Sequence, residues 1–213
     1  LNPARVEEGS YMRLGATVGD DVQVRSVEFY VDDTRVATDG NFPFEVRFLT
    51  PVRSATKSSV ALRARATDTG GNSTCSDTIT AELVADARPP RVVRVLPFGG
   101  GRVVDAVTVF FSEPVNPATV TGSSSQLFGA GPDGVIGTPD DLPIGAAPSA
   151  RSTDSSATLS LAAPLSDGLY RARLATQVTD LAGQTLAAEY AWDFRVAPAT
   201  FWTGLADNRW SNP

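Results

Sequence analysis

The chain has 213 residues, of which 42% are hydrophobic and only 8% aromatic, and its formal net charge is −6. This length accommodates two domains of ordinary size, and the acidic balance argues against binding to nucleic acid or anionic membranes, which depends on clustered Lys and Arg. Because the chain contains no histidine, Ser-His-Asp and Cys-His catalytic arrangements and imidazole-based zinc sites are excluded.

Alternating hydrophobic and polar residues mark strands in the first half of the chain. Val27, Phe29 and Val31 share one face, and Asp32-Asp33 then supplies the turn of a hairpin. Two later strands repeat the alternation, with the predicted inward faces Val60, Leu62, Ala64 and Ala66, and Ile79, Ala81 and Leu83. With 18 Gly and 15 Pro in the chain and no long run at helical spacing, the fold class is predicted to be all-β.

Residues 85–90, with the sequence ADARPP, interrupt this pattern. Proline cannot donate to a strand ladder and stiffens the chain in an extended form, so we place the domain boundary here. The predicted domains are residues 1–86 and 87–198, followed by a short tail at 199–213. No segment is long and hydrophobic enough to span a bilayer, so any signal or anchor is expected outside this sequence.

Strand patterns resume after the prolines. The predicted inward faces are Val107, Val109 and Phe111, then Tyr170, Ala172 and Leu174, and finally Tyr190, Trp192, Phe194 and Val196. Each half also carries an Arg-Ala-Arg strand (63–65 and 171–173) followed by a Thr-Asp loop that contains glycine (67–72 and 179–184). This repetition indicates two related domains in tandem.

Several of these segments resemble known families. The first half resembles bacterial immunoglobulin-like domains of surface proteins in the segments VEFYVD (27–32), ARATD (64–68) and Gly71-Asn72. Residues 87–197 are similar to the SbsA-like bacterial immunoglobulin-like domain of S-layer and adhesin proteins, through the segments VTVFFSEPV (107–115), VTDLAG (178–183) and WDF (192–194). The resemblance implies two tandem immunoglobulin-like β-sandwiches with a short C-terminal extension, used as a stalk or binding module without chemistry of its own.

A glycine-rich loop at residues 129–141 is a candidate calcium site. Asp133, Asp140 and Asp141 supply carboxylates, and Ca²⁺ takes six to eight oxygen ligands in loops of this kind. The spacing is not that of an EF-hand. An ordinary acidic turn is the alternative interpretation.

A second candidate calcium site lies at the domain junction. Here we expect Asp86 of the linker to converge with the loop carboxylates Asp20, Asp21 and Asp68. An interdomain ion of this kind would resemble those of cadherin-like and adhesin modules and would hold the domains at a fixed angle. Asp180, the counterpart of Asp68, is then expected to face a following domain. The alternative interpretation is that these carboxylates are solvated turn residues.

The remaining candidates are isolated residues. Cys75 is the single cysteine, so no internal disulfide is possible, and its place beside a strand predicts a buried, unreactive side chain. Trp202 and Trp210 in the tail either begin a further repeat domain or stack on sugar rings.

The sequence therefore predicts a non-catalytic extracellular module of a large bacterial cell-surface protein. The module is expected to serve as a stalk, spacer or adhesion domain and to be stiffened by calcium. The alternatives are a carbohydrate-binding module and a self-assembling surface-layer or filament subunit. Expected partners are neighbouring domains of the same chain, a surface glycan or protein receptor, or further copies; nucleic acid and membrane insertion are not expected.

Overall fold

The computed structural model describes residues 5–21, 23–101 and 103–197. In this part of the chain, the regular structure is β-strand apart from one turn of 3-10 helix at Pro117–Thr119. The predicted all-β class is confirmed. None of the described residues forms a helix with the length and hydrophobicity needed to cross a membrane.

The first strand set forms two facing sheets. The larger sheet has the order β1-β8-β6-β3-β4, with β7 also paired to β6, and the smaller sheet is the pair β2-β5. The strands are β1 (Arg5–Glu7), β2 (Tyr11–Ala16), β3 (Val24–Val31), β4 (Thr34–Asp39), β5 (Phe44–Leu49), β6 (Ser59–Asp68), β7 (Ser73–Cys75) and β8 (Ile79–Val84). We call this strand set the first sandwich.

The core of the first sandwich follows the predicted alternation along β3. Val27 and Phe29 are fully buried and Val31 is nearly so. Asp32 and Asp33 both have positive φ, 48° and 61°, as a tight type I′ hairpin turn requires, although neither is glycine. The prediction for Ile79 was wrong: it begins β8 and is 46% exposed.

The second strand set also forms two facing sheets, with the orders β14-β15-β11-β9 and β10-β17-β16-β12-β13. The strands are β9 (Val92–Leu96), β10 (Gly99–Gly101), β11 (Ala106–Phe111), β12 (Ser125–Gly129), β13 (Leu142–Ile144), β14 (Ala147–Arg151), β15 (Ser156–Ser160), β16 (Gly168–Leu174) and β17 (Tyr190–Val196). We call this strand set the second sandwich.

Most of the predicted core of the second sandwich is confirmed. Phe194 and Val196 are buried, and Trp192 packs against both hydrophobic clusters between the sheets. Tyr190 is a correction, since it begins β17 and is 37% exposed. The alternation thus holds within these strands, and its two failures, Ile79 and Tyr190, are each the first residue of a strand.

Every pair of named strands lies either within residues 5–84 or within residues 92–196. The predicted boundary at residues 86–87 falls in the segment between the two sets. Where each domain begins and ends as an independently folding unit stays a prediction.

Candidate functional site beside the linker

The Thr-Asp loop of the second sandwich is organised by Asp180. The Asp180 amide donates to the Gln184 carbonyl (3.0 Å), the Gly183 amide donates to the Asp180 carbonyl (3.4 Å), and the Gln184 amide donates to Asp180 Oδ1 (2.8 Å). Gly183 has φ +93°, a conformation that glycine adopts without strain. The loop therefore holds one carboxylate oxygen of Asp180 in a fixed hydrogen bond.

The first sandwich contains the same loop around Asp68. The Asp68 amide donates to the Asn72 carbonyl (3.0 Å), the Gly71 amide donates to the Asp68 carbonyl (3.3 Å), and the Asn72 amide donates to Asp68 Oδ1 (2.8 Å). The repetition seen in the sequence thus extends to matching hydrogen bonds.

The two loops differ in whether the second carboxylate oxygen of the aspartate, Oδ2, has a hydrogen-bond partner. The Asn72 side-chain amide donates to Asp68 Oδ2 at 2.8 Å. Gln184 is one methylene longer, and its side-chain amide donates instead to the Asp86 carbonyl at 3.4 Å. Asp180 Oδ2 is left buried without a hydrogen-bond partner.

Asp180 belongs to a cluster of three carboxylates. Asp86, Glu113 and Asp180 each place one carboxylate oxygen within 4.8 Å of the other two. Asp86 and Asp180 are buried, at 5% and 1% exposure, and Glu113 is half-buried. We call this group the acidic cluster.

Local hydrogen bonds position the other two members of the acidic cluster. Asp86 Oδ1 accepts from the Arg88 amide at 2.9 Å, which folds the start of the linker back on itself. Glu113 lies just beyond β11, where the Ser112 hydroxyl donates to Glu113 Oε1 at 3.2 Å. The linker, the end of β11 and the Asp180 loop therefore meet at one point.

Burial, together with neighbouring negative charge, shifts the acid equilibria of Glu113 and Asp180. Burial, followed by the hydrogen bond and charge of Asp86, raises the pKa of Glu113 to about 7. Burial also raises the pKa of Asp180, against the opposing effect of the Gln184 backbone hydrogen bond. The acidic cluster thus favours uptake of a proton or a cation.

A cleft of about 460 Å³ lies next to the acidic cluster and between the two sandwiches. Glu7, Tyr11 and Arg47 of the first sandwich line it together with Arg91 and Glu113 of the second. Glu113 therefore connects the buried carboxylates to solvent. Arg88, which also lines the cleft, pairs with Glu7.

Two further contacts join the sandwiches. The Tyr11 hydroxyl of the first sandwich donates to the Ser152 carbonyl of the second at 2.9 Å. Within the first sandwich, the guanidinium carbon of Arg47 lies 3.9 Å from the centroid of the Tyr11 ring. Gly9, with φ +62°, approaches Leu181 so closely that a Cβ at Gly9 would lie 3.1 Å from Leu181 Cβ. The Asp180 loop thus packs directly on the turn between β1 and β2.

The predicted convergence of Asp86 with Asp20, Asp21 and Asp68 was wrong. Strand β8 runs antiparallel to β6 with Ser59 opposite Glu82, so the chain leaves the first sandwich at the end where β6 begins. Asp68 closes the 10-residue strand β6, roughly 30 Å from that end. Val24 pairs with Asp68, which keeps the preceding Asp20-Asp21 segment at the same distant end.

The predicted direction of Asp180 was wrong for the same reason. Gly168 pairs with Val196, where β17 ends, whereas Leu174 pairs with Tyr190 at the opposite end of the sheet. The Asp180 loop follows β16 and so faces the first sandwich, not a following domain.

The structure places Asp133 and Asp140 at exposed positions and Asp141 at a half-buried position of one loop, whose own groups bond one oxygen of each carboxylate. Asp141 Oδ1 is buried without a hydrogen-bond partner. The Val135 amide donates to Asp133 Oδ1 (2.8 Å), the Thr138 hydroxyl to Asp140 Oδ1 (2.6 Å) and the Gly137 amide to Asp141 Oδ2 (2.6 Å). Among the described residues, the group of three acidic side chains close enough to share an ion is the acidic cluster, and it contains none of these three.

Cys75 is exposed, contrary to the prediction, because β7 is a three-residue edge strand whose side chains all face solvent. Trp202 and Trp210 lie outside the described residues.

Sequence reasoning missed Glu113 entirely and misread the direction of Asp180. The available signal was the difference between Asn72 and Gln184 at equivalent positions of the two loops. The convergence of residues 86, 113 and 180 depends on tertiary structure and had no local signal.

Comparison with family models identifies the chain. Residues 86–196 match the model of the bacterial Ig-like domain, and residues 1–56 match that of a bacterial Ig domain. Because the first match spans more than half of the chain, the chain belongs to the bacterial Ig-like domain family. Such domains are generally non-catalytic and typically occur in surface or extracellular proteins. No curated protein matches the chain in sequence.

The solved structures that match the chain share little sequence with it. The Escherichia coli copper resistance protein PcoC is 15% identical, covering 50% of this chain and 99% of its own, with a TM-score of 0.40. The fibronectin(III)-like modules of Clostridium thermocellum CbhA are 17% identical, covering 38% and 86%, with a TM-score of 0.34. Chimeric titin Z1Z2 is 16% identical, covering 92% of both chains, with a TM-score of 0.32. Similarities this weak carry no information about function.

Proposed function

We propose that the chain is a non-catalytic extracellular spacer of a bacterial surface protein, in which the two sandwiches keep a fixed mutual arrangement. The observation that carries this proposal is the contact between Gly9 and Leu181, where a turn of one sandwich packs on a loop of the other. The hydrogen bond from Tyr11 to Ser152 and the ion pair of Arg88 with Glu7 support the same arrangement.

The absence of histidine and the family support a non-catalytic role. The cleft between the sandwiches contains three arginines, Arg47, Arg88 and Arg91, one of which is paired with Glu7 and another of which packs on Tyr11. These side chains thus hold neighbouring groups in place. Extracellular location at a bacterial surface follows the family's usual setting, and stiffening by calcium belongs to the same proposal.

Small-angle X-ray scattering tests the fixed arrangement. The wild-type chain is expected to scatter as one shape, and Gly9→Val is expected to broaden the distribution of interatomic distances, because the side chain collides with Leu181. Gly71→Val is the matched control: Gly71 also has positive φ, +89°, but a Cβ there meets nothing within 4 Å. Scattering of the wild type that requires many sandwich orientations would overturn the proposal.

The two alternative functions have their own readouts. Binding to sugar arrays that Trp202→Ala or Trp210→Ala abolishes would establish a carbohydrate-binding module. Concentration-dependent assembly in light scattering would establish a self-assembling subunit. Either result would replace the spacer function.

A further inference from the structure

We propose that Asp86, Glu113 and Asp180 form a binding site for a divalent cation of the calcium type. Binding itself is independent of the proposed spacer function. The mechanical consequence, a linker fixed to the second sandwich, rests on that function.

The spacing of the acidic cluster suits a shared ion. Oxygen ligands lie about 2.3–2.6 Å from Ca²⁺, so two ligands of the same ion are separated by at most about 5 Å. The three carboxylates offer oxygens that all lie within 4.8 Å of one another. They come from three separate parts of the second family match, residues 86–196, so the fold and not a single loop brings them together.

The buried, unpartnered oxygen of Asp180 is a second observation that points to a ligand. Asp180 is 1% exposed and its Oδ2 has no hydrogen-bond partner. A buried carboxylate oxygen left without a donor is costly. In the equivalent loop of the first sandwich, the Asn72 side-chain amide donates to Oδ2 of Asp68. A loop of this conformation can therefore supply a hydrogen-bond donor to the second carboxylate oxygen. A cation beside Asp180 would supply the missing partner.

The charge of the acidic cluster is not balanced by nearby arginines. No ion pair among the described residues involves Asp86, Glu113 or Asp180. Arg88 lines the adjacent cleft, but it pairs with Glu7. Three clustered carboxylates without a basic partner favour a doubly charged ion.

The donor set selects the class of ion. All three ligands are carboxylates, which hard cations prefer, whereas zinc sites use imidazole or thiolate. Because Glu113 borders the open cleft of about 460 Å³, water can complete the coordination shell. Ca²⁺ accepts such irregular geometry more readily than Mg²⁺, which requires a near-ideal octahedron.

Isothermal titration of the full chain, freed of metal with a chelator, tests the site directly. We expect CaCl₂ to bind once, with a Kd of about 10⁻⁴ to 10⁻³ M as in other extracellular modules. At about 100 times the Kd, the melting temperature is expected to rise by about 5 to 10 °C, since the ion binds only the folded state. MgCl₂ is expected to bind at least about tenfold more weakly.

Variants locate the site. Glu113→Gln and Asp180→Asn are each expected to reduce calcium affinity at least about tenfold. The matched controls Asp68→Asn and Asp140→Asn alter the equivalent loop and the glycine-rich loop, and they are expected to leave affinity unchanged.

Three outcomes would overturn the inference. The first is absence of calcium binding by the wild-type chain, which would leave the acidic cluster as carboxylates that share a proton. The second is binding that both Glu113→Gln and Asp180→Asn retain, and the third is binding that Asp140→Asn abolishes. Calcium binding is measured on the wild-type chain first, so the inference can be contradicted even if a variant fails to fold. If the wild-type chain scatters as a single shape but does not bind calcium, the calcium site is contradicted and the spacer function is not.

Discussion

Asp68 and Asp180 hold equivalent loops with the same three hydrogen bonds, two between backbone groups and one from a backbone amide to Oδ1 of the aspartate, yet only Asp68 has a partner for its second carboxylate oxygen. The difference follows from one methylene group: Asn72 reaches back to Asp68, while the longer Gln184 reaches across to the Asp86 carbonyl. The same loop is thus self-contained in the first sandwich and joined to the linker in the second.

Replacing Gln184 with Asn is expected to make the second loop behave like the first. The shorter side chain can donate to Asp180 Oδ2, which removes a buried unpartnered oxygen and stabilises the metal-free protein by about 1 kcal/mol. Calcium affinity is expected to fall about fivefold, because the ion must compete with a new hydrogen bond worth about 1 kcal/mol. Melting temperatures with and without calcium measure both effects, and a Gln184→Asn protein that binds calcium as the wild type does would contradict this account.

The stability of the metal-free protein is expected to fall as pH rises from about 4.5 to about 7. Glu113 titrates near 4.5 when unfolded and at about 7 when folded, so the folded state binds more protons in this window and loses stability with rising pH. Asp86 and Asp180 face Glu113 and oppose its ionisation, while Arg88, Arg91 and Glu7 line the adjoining cleft.

Carboxylates with lowered pKa values act at lower pH than Glu113. The pKa values of five carboxylates are lowered by hydrogen bonds or ion pairs, so their stabilising effect is lost only below about pH 4; they are Glu28, Asp32, Asp39, Asp68 and Asp140. Chemical denaturation at several pH values in chelator checks the prediction. Glu113→Gln should flatten the dependence between about pH 5 and 7, and an unchanged slope in that variant would contradict the assignment.

Core packing of the first sandwich is expected to depend strongly on Phe29. Phe29 is fully buried, so Phe29→Ala should lower the free energy of unfolding by about 3–5 kcal/mol. Phe42→Ala is the matched control, because Phe42 is 84% exposed and its loss should cost at most about 1.5 kcal/mol, the value of its edge contact with Phe44. Equal effects in denaturant titrations would show that the first sandwich is packed differently.

Close packing in the glycine-rich loop predicts a requirement for Gly131. A Cβ there would overlap the Asp140 carbonyl oxygen, whereas a Cβ at Gly145 meets nothing within 4 Å. Gly131→Ala should therefore destabilise the protein by about 1–3 kcal/mol and Gly145→Ala should not. Thermal unfolding distinguishes the two variants, and a neutral Gly131→Ala would mean that the loop adopts another conformation.

Strand faces were predictable because burial repeats every second residue, as Val27, Phe29 and Phe194 show. The failures at Ile79 and Tyr190 lie at strand starts, where alternation carries no information about how far the facing sheet extends. Cys75 was misjudged because the residue pattern of a strand does not show whether the strand has one neighbour or two. Strand β7 pairs with β6 and lies at an edge.

The acidic cluster was largely beyond prediction. Asp86 and the Asp180 loop were both recognised as features, but their meeting depends on which end of the sheet each loop occupies, and strand order decides that. Glu113 follows β11 in an otherwise ordinary segment. Its significance comes only from the two carboxylates that the fold brings beside it.

The fixed arrangement of the two sandwiches is tested most directly by pulsed electron paramagnetic resonance distances. Cys75 is exposed on the first sandwich and provides one spin-label position, and Ser149→Cys, at an exposed position on β14, provides the other. The account predicts one narrow distance distribution with calcium and a broader one with chelator. A broad distribution that calcium leaves unchanged would contradict the view of this chain as a spacer with a fixed junction.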